Sequence, residues 1–321
     1  MDQKRIIDEF KELVSIEVHS RDERAIADVL KGKLTALGLT VTEDKAGEVL
    51  GGNTGNLYAQ LPGSTDGEPV LFSAHMDRVG NHGHIVPLVK EEEGKIVSDG
   101  TSILAGDDIG GVAAILAMLR EVKEKQILHG PIEVAFSVCE ETGVEGSRQY
   151  DFSKFNAKSA FVYDASGKAG TIVLAAPSKG RVTIRVHGVT AHAGNEPEKG
   201  LNALKVAADL IMQLPDGRLS PVSTANFSII EAGSATNVVC DLVTITGEQR
   251  SRDAKEYQQI SADIQAAADR ISEKYHTKIE VELHTLYHAF KLEETARPCV
   301  LAKEAAEAVG AAPFFKEGGG G

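Results

Sequence analysis

Three short apolar runs constrain the fold of this chain more than any other feature of its sequence. They occupy residues 70–74, 132–139 and 160–163. Continuous apolar runs of this kind predict strands that are covered on both faces, as in a parallel sheet flanked by helices. Between the first two runs, residues 107–125 place apolar side chains at helical spacing on one side and charged ones on the other. Strands that alternate with helices predict a doubly wound, mostly parallel α/β sheet.

The pattern changes near residue 177, after which two predicted helices alternate with four predicted strands. The helical runs cover 200–214 and 253–274, and the strand runs cover 180–187, 224–231, 238–248 and 278–285. The resulting order, β-α-β-β-α-β, is typical of a ferredoxin-like arrangement. We therefore predict an inserted α+β domain at 178–290, within a first domain made of residues 1–177 and 291–321.

Charge and cysteine content exclude several classes of function. The net charge of the 321 residues is -13, which argues against nucleic acid as a partner because phosphate binding requires a basic face. No stretch reaches the 18 apolar residues of a membrane span, and the N-terminus has no apolar signal segment. Three widely spaced cysteines predict neither a disulfide framework nor a zinc knuckle. The expected location is the cytoplasm.

Side chains that can bind metal follow the first apolar run. His75 and Asp77 come directly after residues 70–74 and point the same way while strand geometry lasts. His75 could bind a metal, with the carboxylate of Asp77 fixing the orientation of its ring. An exposed loop pair without a metal is the alternative for so short a motif.

Two adjacent aspartates, Asp107 and Asp108, open the predicted helix at 107–125. An ordinary helix N-cap is one interpretation, because aspartate accepts hydrogen bonds from the free backbone N–H groups there. The following Gly110 and Gly111 favour another, in which the carboxylates bridge metal ions and the backbone packs close beside them.

The other two apolar runs are also followed by acidic residues. Glu140 and Glu141 come at the end of the second run, and Asp164 follows the third. An ionised carboxylate leaving a buried strand requires a partner or a metal, and the neighbouring glutamate can act as a general base. Ligands of open α/β sheets gather at the carboxyl ends of strands, so this set predicts a two-metal site with a bridging aspartate.

The order of these motifs resembles the M20 metallopeptidases. H-M-D at 75–77 is followed by D-D at 107–108, E-E at 140–141 and an aspartate at 164, and matching motifs continue into the inserted domain. These are G-V-T-A-H-A-G at 188–194, S-A-T-N-V-V at 234–239 and G-E-Q-R-S at 247–251. The resemblance covers essentially the whole chain and is nearest to the peptidase T-like proteins. It implies hydrolysis of an amide bond in a short peptide, of aminopeptidase or tripeptidase type, by a metal-activated water.

The resemblance also implies a set of metal ligands and a base. His75 and Asp164 would hold one divalent ion, Glu141 the other, and Asp107 would bridge the two. Glu140 would be the general base and later the proton donor. Zinc is the expected metal, although an oxygen-rich set of ligands also accepts cobalt or manganese.

Three residues of the inserted domain would act on the substrate. The resemblance implies that His192 stabilises the oxyanion, while Asn237 and Arg250 bind the substrate, Arg250 through a carboxylate. The inserted domain would then be a lid that closes for catalysis and that can pair in a homodimer. His192 could also arrive from a partner chain. Without the matching motif, a histidine at a turn would be the preferred interpretation.

One feature departs from the family pattern. The family's last metal ligand, a histidine near the C-terminus, has no counterpart before the chain stops in a run of four glycines. His284 and His288 lie in the inserted domain and do not fit that role. We interpret the glycine run as a truncation, with a linker scar as the alternative. On that interpretation the second metal site lacks a ligand, and weak or single-site metal binding is expected.

Other functions stay open at this point. An N-acyl amino acid amidohydrolase would use the same metals and the same base on an acylated amino acid. A non-catalytic binding protein of the same fold is a different class, against which the intact set of acidic residues speaks. A nucleotide-dependent enzyme is disfavoured because neither a G-x-G-x-x-G nor a Walker A motif is present.

Overall fold

A computed structural model describes residues 2–80 and 83–320, which divide into two compact units. The first contains the described residues up to Ala169 together with Val300–Ala302. The second contains Gly170–Cys299 and the residues from Lys303 onward. The domain boundaries inferred from the sequence, near 178 and 290, stay a prediction.

The first unit is a mixed α/β structure. Five of its strands form one sheet in the order β1-β2-β6-β3-β7, and two more form a separate hairpin, β4-β5. Its elements are α1 (Gln3–Val14), α2 (Arg24–Ala36), β1 (Thr40–Glu43), α3 (Ala46–Leu50), β2 (Leu57–Leu61), β3 (Val70–His75), β4 (Pro87–Lys90), β5 (Lys95–Ser98), α4 (Gly106–Glu124), β6 (Ile132–Ser137) and β7 (Ser159–Val162).

The three apolar runs form neighbouring strands of this sheet. β3 pairs in parallel with both β6 and β7, whereas β1 and β2 add antiparallel pairings on the other side of β6. Every residue of β6 is buried, as expected of a strand covered on both faces. The predicted α/β class is thus confirmed, with two of the four strand pairings parallel.

Helices α1, α2 and α4 supply most of the remaining core of the first unit. Each buries one face, for example Leu13 of α1, Leu30 of α2 and Leu116 of α4. Helix α4 packs on β3, the central strand of the parallel group. The sequence places the start of α4 at Asp107, but the backbone of Asp107 and Asp108 is not helical, so the regular helix begins after them.

The second unit contains an antiparallel sheet in the order β10-β11-β12-β9-β13. Its elements are β8 (Thr171–Ala176), β9 (Ser178–His187), α5 (Ala203–Ile211), β10 (Gly217–Ser220), β11 (Ser223–Ala232), β12 (Leu242–Ser251), α6 (Ala254–Tyr275), β13 (Ile279–Tyr287), β14 (Phe290–Lys291) and β15 (Phe314–Glu317). A last helix, α7 (Arg297–Ala308), has residues in both units.

Helices α5 and α6 cover one face of this sheet and form a core of their own with it. Alternate residues of β9, namely Val182, Ile184 and Val186, point into that core. The inserted α+β arrangement is therefore confirmed, with β10 as an additional short edge strand. The predicted strand at 238–248 is placed too early: β12 begins at Leu242, and Val238 instead forms an isolated β-bridge with His192.

A smaller three-stranded sheet, β14-β8-β15, completes the second unit. Its strands are short, and the sequence patterns gave no sign of them. Among the described residues, no helix combines the length and the apolar character needed to cross a membrane.

Candidate metal centre

The register of the parallel strands brings the side chains that can bind metal to one edge of the sheet. His75, the last residue of β3, lies opposite Ser137 of β6, and Ser73 lies opposite Val162 of β7. Residues just beyond these strands therefore meet at the same level. These residues include the Glu140–Glu141 pair after β6 and Asp164 after β7.

His75 is held in a fixed orientation. Its side chain is only 2% exposed, and its Nδ1 lies 3.0 Å from the backbone oxygen of Asp77 and 3.3 Å from a carboxylate oxygen of the same residue. Nε2 lies 2.9 Å from Oδ1 of Asp107. With Nδ1–H donating to Asp77, Nε2 is the nitrogen that can bind a metal.

The two adjacent aspartates have different surroundings. Asp107 is exposed and contacts both His75 and Asp164 through its carboxylate. Asp108 is buried, and its carboxylate accepts a hydrogen bond from the backbone N–H of His75 at 3.1 Å. The peptide bond between the two aspartates is cis. Asp107 thus faces the other side chains that can bind metal, whereas Asp108 holds the backbone of His75.

Asp77 has a second set of contacts that the sequence did not predict. Its side chain is fully buried, and its two carboxylate oxygens accept hydrogen bonds from the backbone N–H groups of Glu140 (2.9 Å) and Glu141 (3.1 Å). Ser20 donates a further hydrogen bond to it at 2.6 Å. One carboxylate therefore fixes the ring of His75 and the backbone of both glutamates.

Two overlapping groups of side chains have the spacing that a metal ion requires. His75, Asp107 and Glu141 form one group, and His75, Glu140 and Asp164 form the other, with ligand atoms within 4.8 Å of one another in each. Carboxylate oxygens with one imidazole nitrogen are a donor set that zinc, cobalt and manganese accept. The four predicted ligands and the predicted base, Glu140, thus lie together in groups that fit a divalent ion.

The electrostatics of the site also favour bound cations. Burial, reinforced by the carboxylates of Asp164 and Glu141, raises the pKa of Glu140 to about 7. Partial burial and the neighbouring Asp107 raise the pKa of Asp164 to about 6. Burial together with Asp164 likewise raises the pKa of Asp108 to about 8. Carboxylates that repel one another in this way gain stability from a nearby positive charge.

In the second unit, His192 and Asn237 lie on two adjacent segments. His192 is exposed, and its Nδ1 accepts hydrogen bonds from the backbone N–H groups of Gly194 (3.1 Å) and Asn195 (3.2 Å). The backbone oxygen of Asn237 accepts a hydrogen bond from the backbone N–H of Ala193 at 3.0 Å. Because Nδ1 is an acceptor, the proton of neutral His192 is on Nε2, which can donate to another molecule.

Arg250, the third residue predicted to bind substrate, lies on β12 and already has protein partners. Its Nε donates to Glu248 at 2.7 Å, and its Nη1 donates to the carbonyl oxygen of Gly319 at 3.0 Å. These contacts hold the guanidinium in place within the second unit. They occupy part of the hydrogen-bonding edge that would bind a substrate carboxylate.

Two buried polar residues that the sequence did not single out support the centre. Arg78, next to Asp77, donates to the backbone oxygens of Val14 (3.1 Å), Ile16 and Val18 (2.7 Å). Asn56 accepts a hydrogen bond from the backbone N–H of Val138 at 3.0 Å, just before the two glutamates. The only signal for Arg78 was its place directly after the H-M-D motif; Asn56 had none.

Comparison with known proteins identifies the family of the chain. The family model of the M20 peptidase dimerisation domain matches residues 177–276, and the model of peptidase family M28 matches residues 56–197. The crystal structure of aminopeptidase PepT from Bacillus cereus is 38% identical over the whole chain and 86% of that protein, with a TM-score of 0.87. The chain belongs to the peptidase T-like branch of the M20 metallopeptidases. It is a metal-dependent peptide hydrolase.

Two more relatives of this M20 peptidase cover it completely. A tripeptidase structure from Staphylococcus aureus is 32% identical, with a TM-score of 0.93, and the match covers 86% of that chain. The uncharacterised Bacillus subtilis protein YqjE is 36% identical, also over 86% of its length. The predicted family and the predicted enzyme class are thus confirmed, while the role of each site residue stays a prediction.

The two glycines that follow the aspartates of this M20 peptidase provide a matched pair of substitutions. A Cβ atom at Gly111 would clash with the carboxylate of Asp108 and lie 2.8 Å from Cβ of Tyr163, whereas one at Gly110 would meet nothing within 4 Å. We expect Gly111→Ala to displace Asp108 and the residue before Asp164, and to weaken metal affinity about 10–100-fold. Competition titration of zinc measures this effect.

Gly110→Ala is the control for that substitution. Alanine is a better helix former than glycine, so this variant should keep its metal affinity and gain about 0.5–1 kcal/mol of stability. Equal metal affinities for the two variants would show that the close approach at Gly111 has no effect on the centre.

Proposed function

We propose that the chain is a di-metal aminopeptidase that removes the N-terminal residue of tripeptides. The observation that carries the proposal is the convergence of His75 with four carboxylates at the carboxyl edge of the parallel strands. The likeness to the Bacillus cereus aminopeptidase and the Staphylococcus aureus tripeptidase supports the substrate class.

The proposed ligands divide between two ions. His75 and Asp164 would hold one ion, Glu141 would hold the other, and Asp107, which contacts both His75 and Asp164, would bridge them. When bound, the ions would polarise the scissile carbonyl and make the attacking water more acidic. Zinc is the proposed metal, with cobalt and manganese able to replace it.

Glu140 is the proposed general base. It would accept a proton from the attacking water and return it to the leaving amine. Its backbone N–H is fixed by Asp77 at 2.9 Å, which limits the positions that its carboxylate can take. Glu140 therefore has the fixed position that the role requires.

The second unit would supply the contacts to the substrate. Nε2–H of His192 would donate to the developing oxyanion, and its ring orientation is already set by Gly194 and Asn195. Asn237, whose backbone oxygen accepts a hydrogen bond from Ala193, would bind the backbone of the peptide substrate. The guanidinium edge of Arg250 that is not used by Glu248 or Gly319 would bind the substrate carboxylate.

A homodimer formed by the second unit is part of the proposal. β10 pairs only with the beginning of β11, at residues 223–225, so the outer edge of β11 from 226 to 232 pairs with no other described strand. Ile229 and Ile230 are about half exposed on this strand. An exposed apolar edge strand favours pairing with another chain. The three free cysteines are all buried, which supports the proposed cytoplasmic location.

A substrate panel tests the proposed activity. With both ions bound, we expect hydrolysis of tripeptides with a free N-terminus to be faster than that of dipeptides, N-blocked tripeptides or N-acyl amino acids. Treatment with a chelator should abolish the activity, and zinc, cobalt or manganese should restore it, because the donor set accepts all three. Elemental analysis of the active protein gives the metal and the number of ions.

Two outcomes would contradict the proposal. Preference for N-acyl amino acids over tripeptides would make the chain an amidohydrolase with the same centre. Stoichiometric metal binding without hydrolysis of any amide in the panel would make it a binding protein.

A further inference from the structure

The loop that joins α1 to α2 carries a glutamate whose burial has no evident purpose in packing. Glu23 is 0% exposed, and its Oε1 accepts hydrogen bonds from the backbone N–H groups of Arg21 and Cys139, both at 3.0 Å. Its other oxygen, Oε2, is buried without a hydrogen-bond partner among the described residues. A buried carboxyl group with one unpaired oxygen costs free energy that an apolar side chain would avoid.

The contact with Cys139 is made at a strained point of the backbone. Cys139 has a φ of 51°, a left-handed conformation that costs a residue with a side chain about 1–3 kcal/mol. It is followed at once by Glu140 and Glu141. A change of backbone conformation at Cys139 would therefore move both glutamates. The hydrogen bond from Cys139 to Glu23 opposes such a change.

Ser20, three residues earlier in the same loop, is linked to the two glutamates through Asp77. It donates to Asp77 at 2.6 Å, and Asp77 accepts the backbone N–H groups of Glu140 and Glu141. The three successive N–H groups of residues 139–141 are thus all bound by carboxylates. Glu23 binds the first, and Asp77, with Ser20 behind it, binds the other two.

We propose that Ser20 and Glu23 are positioning residues, which set the orientation of Glu140 and Glu141 from the α1–α2 loop. The inference rests on the proposed function for the roles of these two glutamates. The loop itself is anchored beside the centre, because Arg78 binds the backbone oxygens of Val14, Ile16 and Val18. A change in the loop is thereby transmitted to the glutamates rather than absorbed by movement of the loop.

A pair of substitutions at Glu23 separates positioning from simple burial. Glu23→Ala removes the acceptor for Cys139, and we expect kcat on a tripeptide to fall about 10–100-fold with little change in KM, the usual loss for a residue that supports metal ligands. Glu23→Gln keeps an oxygen that can accept both N–H groups, so it should restore most of kcat. Ser20→Ala should give a smaller loss in the same direction.

Glu133, on β6, provides the matched control. It is also a buried glutamate (2% exposed), and it accepts the backbone N–H groups of Asn156 and Ala157, but at the opposite end of β6. Glu133→Ala should lower the Tm as much as Glu23→Ala does while leaving kcat unchanged. A comparable loss of kcat in the two alanine variants would overturn the proposal, since both would then act through stability alone.

Zinc affinity gives a readout that does not depend on activity. Because Glu141 is a proposed ligand, Glu23→Ala should weaken zinc binding about 10–100-fold in a competition titration, and Glu133→Ala should not. Wild-type affinity and wild-type kcat in Glu23→Ala would refute the positioning role, as would a Glu23→Gln variant as defective as Glu23→Ala. A wild-type chain that binds zinc but hydrolyses no peptide would refute the proposed function instead, and the zinc affinities would still decide the role of Glu23.

Discussion

Replacing Glu140 by glutamine is expected to lower kcat on a tripeptide by about 10²–10⁴-fold, the usual effect of removing a general base. Glutamine has nearly the same shape but cannot accept the proton of the attacking water. The backbone hydrogen bond to Asp77 does not involve the side chain that is changed, so the fold of the loop should be retained. Steady-state kinetics together with elemental analysis of the purified variant measure both effects.

Glu141→Gln is the matched control, since the two glutamates are adjacent and are fixed by the same carboxylate. If Glu141 is a ligand and Glu140 the base, Glu141→Gln should lose metal affinity, whereas Glu140→Gln should keep it. Both residues occur in groups with metal-binding geometry, so the measurement decides between the roles. Loss of metal from Glu140→Gln would make that residue a ligand.

Replacing His192 by alanine should lower kcat by about 10²–10³-fold, the usual loss for one donor to an oxyanion. The physical reason is the free Nε2–H, whose direction is fixed by the two backbone hydrogen bonds on Nδ1. Metal content should stay the same. His187→Ala is the control in the same unit, because His187 is paired with Glu280 at 2.9 Å and has no proposed part in catalysis.

A mixture of two inactive variants shows from which chain His192 acts. In a heterodimer of Glu140→Gln and His192→Ala chains, one site keeps Glu140 and can receive an intact His192 only from the partner. Recovery of activity on mixing would therefore place His192 across the dimer, and no recovery would place it within its own chain. Unchanged kinetics of His192→Ala alone would reduce it to a histidine at a turn.

The parts of the fold that the sequence predicted well are those with strong local patterns. Residues 70–74 and 132–139 are largely apolar, and they form strands β3 and β6. Strands β4, β5 and β10 were missed because they are short and largely exposed, so no apolar pattern marks them. The late start of β12 was missed because Val238 and Val239 extend the apolar run beyond the paired residues.

The candidate site was predicted where its residues follow strands and was missed where its contacts are long-range. His75, Glu141 and Asp164 could be found because the ends of parallel strands meet at one edge. The contact between Asp77 and Glu140 joins residues 63 positions apart, and that between Glu23 and Cys139 joins residues 116 apart. Such contacts depend on the register of the sheet and the path of a loop, which periodicity does not encode.

The presence of two separate hydrophobic cores has a consequence for how the chain responds to metal supply. The four proposed metal ligands and the proposed base lie in the first unit, whose core shares no residue with that of the second. An ion that binds only the folded state adds RT ln(1 + [L]/Kd) to stability, about 4 kcal/mol when free metal is 1,000 times Kd. This linkage acts on the first unit. A cell short of metal would therefore lose the resistance of that unit to unfolding and degradation together with its chemistry.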